Sequence, residues 1–548
     1  MMGGWIRQWM FVLMAGQWCA PLLTATAADE DPSHEKALAR AERSAAIAGY
    51  SLSKVHRWLH ERCLPAIDPK THLYLAQRPG GRYGSMADEW NYRDTAADCY
   101  PFAVWAAYFV DRQVLEGPMR QILEAEQRLC NRLDRLPVTY DVARGEQVPM
   151  PLDAVVFGAS EYAKDGLTPI VELTGKDAWF DRLRGIVEDI FRHAPVDTPY
   201  GKIPSTNLEV NGELLQVLPR LYTMTGRRRY LDWAHRLADY YLNPGGFVPA
   251  RLSDHGCEII GGLGLLLAID SVADREHFDR YRPHVRFMLD EILRRGTNSD
   301  GIIIAQLQPA PGPHDDVILR DGWGYDYVAF LDYDMATGEG RYRRQVAFAL
   351  SNLLKPRYEN FNWDHNSLDN IADSVEGGLY LLNRVPVPEG LRWADREIAR
   401  HLVDSSQPLE TARLWDTHKL DSNTIRTVLI HAMLHTRNTT LDPWRRDLKL
   451  GAAPLDGGLA VVIQASRSYR GKLVFDIPRH RLYLGFTKDW PRMNTVPEWF
   501  TVEPDDTMYV VQDLTAQTVG KCTGRQLHEG LPVEVQAGRP LRLTVTRP

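Results

Sequence analysis

The sequence predicts a mainly α protein: an (α/α)6–7 toroid over residues 35–446 followed by a β-sandwich over residues 447–548. A repeated helix-ending turn, an alternation of apolar with amphipathic helical runs and a late change of hydrophobic period predict it. Thr174-Gly175, Thr225-Gly226 and Thr337-Gly338 each end an apolar run, and charged and aromatic residues then open the next. They lie 51 and 112 residues apart, one and about two periods, and the turn missing between the last two falls at Ser271–Glu276. A single helical hairpin cannot bury its own apolar face, so hairpins repeated at this spacing must stack or close into a ring.

In chain order, residues 1–28 place Arg7 before an apolar run from Trp9 to Ala15 and small residues at Ala25–Ala28. That is the order of a secretory signal, and the chain is expected to be exported. The run is too short to span a bilayer, and no membrane span is expected later. A helix over 35–62 forms the first outer element. Inner helices are expected to begin near Asp98, Asp165, Asn211, Glu258, Tyr325, Asp373 and Asn423, each behind a polar loop, and residues 136–164 read as one such loop. Glycines inside the apolar runs, at Gly261-Gly262-Leu263-Gly264 and Gly377-Gly378, suit helices packed on both sides. Beyond Asp447 the segments Gly458–Ala465, Lys472–Ile477, Arg481–Phe486, Thr507–Leu514 and Leu541–Thr546 read as short strands.

At 548 residues, 44% apolar, 25% charged and with a formal charge of −7, the composition is that of a globular protein without the basic footprint of a nucleic-acid binder. Cys63, Cys99, Cys130, Cys257 and Cys522 lack metal-ligand spacing and read mostly as small buried residues. There is no His-Glu-x-x-His helix, no phosphate-cradling Gly-x-x-x-x-Gly-Lys and no Gly-x-Ser-x-Gly elbow, so neither metal nor cofactor is expected.

A toroid brings the N-termini of its inner helices to one face, and the polar loops all arrive there. Trp90, Arg93 and Asp94 lie in the first loop, Glu209, Asn211 and Glu213 in the third, and Arg251, His255 and Glu258 in the fourth. Asp321, Trp323 and Tyr325 belong to the fifth, and Trp363, His365 and Asp373 to the sixth. Capping alone accounts for an Asp at a helix start, as at Asp98, Asp165 and Asp373. The concentration of aromatics, amides and carboxylates on one face nevertheless suits a carbohydrate, whose ring stacks on aromatics while its hydroxyls bond to polar groups.

With its hairpin turns and its Asp-, Trp- and Tyr-rich loops, the chain resembles the six-hairpin glycosidases and the related toroid polysaccharide lyases, some of which act on glucuronic-acid-containing glycans. The resemblance implies an enzyme acting on a carbohydrate substrate. For glycoside hydrolysis, Glu209, Asp321 and Asp373 are the expected acid/base carboxyls, with Arg93 and Arg251 clamping a uronate. For β-elimination, Arg251 or Asn211 would neutralise the uronate while His255 or Tyr325 removes the proton. A non-catalytic glycan-binding protein is the third reading. Trp90, Asp94, Glu213, Glu258, Trp323, Trp363 and His365 are expected to bind substrate.

Overall fold

The computed structural model describes residues 24–25, 32–75, 88–364, 367–409 and 423–548. Among these, fourteen main helical segments alternate between an outer and an inner layer. The odd-numbered, outer ones are α1 (Pro32–Trp58), α3 (Arg120–Leu129), α5 (Ala178–Arg192), α7 (Arg228–Leu242), α9 (Arg275–Arg295), α11 (Arg343–Asn352) and α13 (Pro388–Glu397). The even-numbered, inner ones are α2 (Tyr100–Val110), α4 (152–174), α6 (Leu208–Thr225), α8 (Cys257–Ala273), α10 (Trp323–Thr337), α12 (Leu368–Arg384) and α14 (Asn423–Thr436). Each inner helix packs on the next, and α14 returns to α2, so seven hairpins close the ring. The six-hairpin enzymes that the sequence resembles have one fewer.

The repeated turn works as its residues require. Gly226 and Gly338 take the left-handed conformation at the ends of α6 and α10, and the preceding Thr225 and Thr337 donate from their hydroxyls to the carbonyls of Leu221 and Tyr333. In the turn at Ser271–Glu276, Asp274 caps α9, accepting from the His277 amide. Glycines also set the spacing between inner helices. A Cβ on Gly324 of α10 would lie 2.5 Å from the backbone of Gly377 on α12.

Residues 136–164 are not one loop. After short strands, α4 begins at Leu152 and passes through a wide, π-type turn over Tyr162–Leu167. Its helical period is hard to see because it is buried all round: Ser160, Glu161 and Lys164 are as inaccessible as Val155, Val156 and Ala159.

The C-terminal part has two antiparallel sheets. β1 (Leu448–Leu455), β2 (Gly458–Ala465), β4 (Met508–Asp513), β5 (Thr518–Thr523) and β7 (Leu541–Thr546) run in the order β5-β4-β7-β2-β1, with Thr24–Ala25 on the β5 edge. β3 (Tyr469–Val474) pairs with β6 (Leu531–Val535) on one side and with Thr440–Asp442 on the other. Where a strand was expected at Arg481–Phe486 the chain turns helically over Arg479–Leu482, fixed by the buried Arg479, whose Nε donates to Asp476 at 3.1 Å. Outside Thr24–Ala25, the expected export signal lies beyond the described residues. No helix among the described residues is long and apolar enough to cross a membrane.

The sheets and the ring share a core. Alternation along β1 and β2 turns Ala453, Ala460 and Val462 toward Ala37, Leu38 and Ala41 of α1, while Leu450, Leu459, Val461 and Ile463 join the main core. The approach is closest at Gly451, where a Cβ would fall 2.1 Å from the Ala45 nitrogen and 2.2 Å from the Ala41 carbonyl oxygen. Gly451→Ala is therefore expected to destabilise the protein by about 1–3 kcal/mol, because backbone on both sides must move. A urea midpoint equal to that of the parent would show that the helix can lift from the sheet without cost.

Candidate active site

At the N-terminal ends of the inner helices the ring encloses a cavity of about 120 Å³. Asp98 reaches it from the turn before α2, Glu161, Lys164 and Asp165 from α4, His255 and Glu258 from the start of α8, and Asp321 and Tyr325 from that of α10. Asp369, Asp373, Glu376 and Tyr380 come from α12, and Asn423 and Arg426 from α14. Asp98 and Lys164–Asp165 sit in the two π-type turns, Asp94–Cys99 and Tyr162–Leu167, a distortion that recurs at functional sites. The far end is closed by Met493 and Asn494, carried on the long connection between β3 and β4. Asn494 Nδ2 donates to Asp165 Oδ1 at 3.0 Å, so the C-terminal part completes the site.

Eight carboxyls line the cavity, against three fixed cations. Lys164 Nζ lies 2.8 Å from Asp165 and 2.7 Å from Glu258. Burial works to lower the Lys164 pKa, but these two carboxylates hold it above its ordinary value. Arg426 binds Asp373 and, at 2.7 Å, Glu376, which also accepts from the hydroxyls of Tyr325 and Tyr380. Arg93 Nε lies 3.4 Å from Glu161. That contact is outweighed: burial, then the neighbouring Asp98, Glu209 and Asp165, hold the Glu161 carboxyl well above the usual carboxylate range. Glu213, 1% exposed, is pushed the same way by burial and by Glu161, Asp165, Glu209 and Glu258. His255 Nδ1 lies 2.5 Å from Glu209, and one polar atom each of Glu161, Glu209 and His255 fall within 4.8 Å of one another. An acid whose pKa is raised thus stands beside a carboxylate-oriented imidazole.

Of the residues singled out from sequence, Arg93, His255, Glu258, Asp321, Tyr325 and Asp373 line the cavity, with Glu209 bonded to His255 and Glu213 buried among the same acids. The tryptophans do not stack there. Trp90 and Trp323 are each 1% exposed, edge-on to Tyr162 and Trp393, and have no ring face for a sugar. Trp363 stacks on Phe361 and donates to the Tyr358 carbonyl. Asn211 is a structural tie, donating to the Ser205 carbonyl and the Tyr241 hydroxyl. Asp94 is buried without lining the cavity, and Arg251 is exposed, in a backbone bridge to Gln306. His365 lies outside the described residues.

Asp98, Asp165 and Asp373 are not caps: they lie within helical turns and face the cavity, whereas Asn207 and Ser367 cap α6 and α12. Sequence reading missed Glu161 and Lys164, hidden in what read as a loop, and Arg426, one turn into an apolar helix. A spacing signal existed for the last: Asn423 and Arg426 stand at i and i+3, as Asp373 and Glu376 do, and so share a face.

No family model and no curated protein matches the chain. Among solved structures, an inactive variant of an alpha-1,6-mannanase from a Salegentibacter species in complex with alpha-1,6-mannotetrose is 13% identical, covering 57% of this chain and 96% of its own, with a TM-score of 0.38. The cellobiose 2-epimerase of Bacillus thermoamylovorans is 13% identical over 50% of this chain and 86% of its own, with a TM-score of 0.36. A beta-L-arabinofuranosidase of Geobacillus stearothermophilus is 11% identical over 82% and 71%, with a TM-score of 0.33. Likeness at this level transfers neither substrate nor reaction.

Proposed function

We propose that the protein is an exported, carbohydrate-active enzyme that hydrolyses a glycosidic bond. The observation that carries this reading is the buried Glu161 in the cavity wall, its pKa raised by burial and neighbouring acids, within 4.8 Å of the Glu209–His255 pair. Glu161 donates its proton to the departing glycosidic oxygen, and a second lining carboxylate, Asp321, takes a proton from water attacking the opposite face of the sugar, while His255, held by Glu209 and too close to Glu161 to face it across a sugar, positions the Glu161 carboxyl. Asp373 and Tyr325 bond to sugar hydroxyls. The three lining cations already contact carboxyls and are outnumbered by them, which leaves, among the described residues, no lining cation without a carboxyl partner to receive an anion, so the sugar bound here is neutral rather than a uronate.

A second reading, β-elimination with His255 as the base, is favoured by the same Glu209–His255 contact. Incubation with neutral oligosaccharides and, in parallel, uronate polysaccharides separates the two. Hydrolysis releases reducing ends without ultraviolet absorption, whereas elimination gives products that absorb through a new carbon–carbon double bond. Tight binding with no product from either panel would remove both.

His255→Ala is expected to lower kcat by roughly 10²-fold, the scale of a misplaced catalytic group, at unchanged melting temperature. Turnover retained in this variant would remove the imidazole from the mechanism.

A further inference from the structure

A second cluster of chemistry-bearing side chains lies away from the cavity, on the seam where the ring closes. His431 and His435 stand four residues apart on α14, one above the other on a single helix face, and Asp395 of α13 reaches both. Asp395 Oδ1 is 2.8 Å from His431 Nε2 and 2.9 Å from His435 Nε2, and the two nitrogens are 3.2 Å apart. The rings meet edge to face, 71° apart, so their Nε2 atoms converge on one point together with the carboxylate oxygen.

We propose that Asp395, His431 and His435 form a binding site for a divalent transition-metal ion of the zinc class. Two imidazoles and a carboxylate are a donor set that zinc takes, and in a tetrahedral site with bonds of about 2.0–2.1 Å the donors stand about 3.3 Å from one another. The present triangle needs only a few tenths of an ångström of expansion. His435 Nδ1 lies 3.1 Å from Ser44 Oγ of α1, the kind of outer contact that orients a metal-ligating histidine. A groove of about 490 Å³, lined by Ile47, Tyr50 and Val403, runs past Asp395 and His431 and gives solvent a way to this side of the cluster. The ion would join α13 and α14, the last hairpin, and through Ser44 reach the first helix, clasping the two ends of the ring.

The histidine pair at His235 and His277, whose ring nitrogens also lie near a carboxylate, Asp274, is arranged differently. His235 and His277 stack with centroids 3.5 Å apart at 6°, so their lone pairs run parallel instead of converging, and Asp274 already accepts from Arg228 and from the His277 amide.

The test uses the full chain without a histidine tag, stripped by chelator and titrated with Zn²⁺ alone and with Co²⁺ alone. One equivalent of Zn²⁺ is expected to bind and raise the melting temperature, and Co²⁺ is expected to give the visible absorption of a tetrahedral site. His435→Gln and Asp395→Asn, both at partly exposed positions, should abolish the Co²⁺ spectrum, Ser44→Ala should weaken binding roughly 10- to 100-fold, and His277→Gln should change nothing. Failure to take up one equivalent overturns the site, as does uptake that survives His435→Gln or is lost in His277→Gln. Because the metal-free melting temperature of each variant is measured alongside, lost binding is distinguished from lost folding.

Discussion

Glu161→Gln is expected to lower turnover of an unactivated glycoside by roughly 10²–10⁴-fold, the range of a lost general acid, with little effect on stability. Gln keeps the volume and a hydrogen-bonding head group. It also removes a carboxyl that burial and three neighbouring acids oppose charging, so the fold loses nothing it depends on. The leaving group decides the pattern. An aryl glycoside that departs as a stable phenolate needs no proton, and it should retain most of its rate in the variant. The pH profile adds an independent readout. Because the Glu161 pKa is raised, the donor stays protonated past the ordinary carboxylate range, and kcat/KM falls as pH rises through that raised value. In Glu161→Gln that alkaline limb should vanish. Equal losses on activated and unactivated substrates would instead make Glu161 a residue that shapes the site, and undiminished turnover would end the assignment.

The fold was legible in the sequence because it is repeated. Thr-Gly turns, Asp274 and the small residues of the inner helices report local geometry, and local geometry repeated around a ring is nearly the whole architecture. Less legible were elements buried on every side. α4 shows little amphipathic contrast because Glu161, Lys164 and Glu172 point into the interior alongside its apolar residues. For the site, loop composition pointed to the face where the cavity lies but over-valued tryptophan: Trp90 and Trp323 fill core space that a large ring fills best, while polar side chains meet the cavity. The contribution of Met493 and Asn494 was beyond any local reading, since nothing around residue 493 says that this connection returns to the bore of a ring built hundreds of residues earlier.

That return is held by a buried ionic cluster, and Glu172→Gln is expected to destabilise the protein by about 3–5 kcal/mol. Glu172 of α4 is fully buried and accepts from Arg220 Nε of α6 at 2.8 Å, from Arg492 Nε at 2.9 and 3.0 Å, and from the Thr495 hydroxyl at 3.0 Å. Removing its charge leaves the buried Arg220 guanidinium without its carboxylate and Arg492 with Asp489 alone, which costs far more than the cluster contributes relative to an apolar replacement. Burial pushes the Glu172 pKa up, yet Arg492 and Arg220 together hold it below the ordinary value. The group therefore stabilises the fold above its unfolded pKa of about 4.3 and loses that contribution as pH falls through the lower folded value, so the difference between parent and variant should shrink in acid. Arg220 also donates to the Met493 carbonyl, so the variant should lose turnover as well, through displacement of Met493 and Asn494. Urea midpoints of parent and variant, at neutral pH and at the acid limit of folding, make the comparison. A neutral-pH difference below about 1 kcal/mol, the size of an ordinary point substitution, would mean that the connection between β3 and β4 is held in the ring by its apolar contacts and not by these charges.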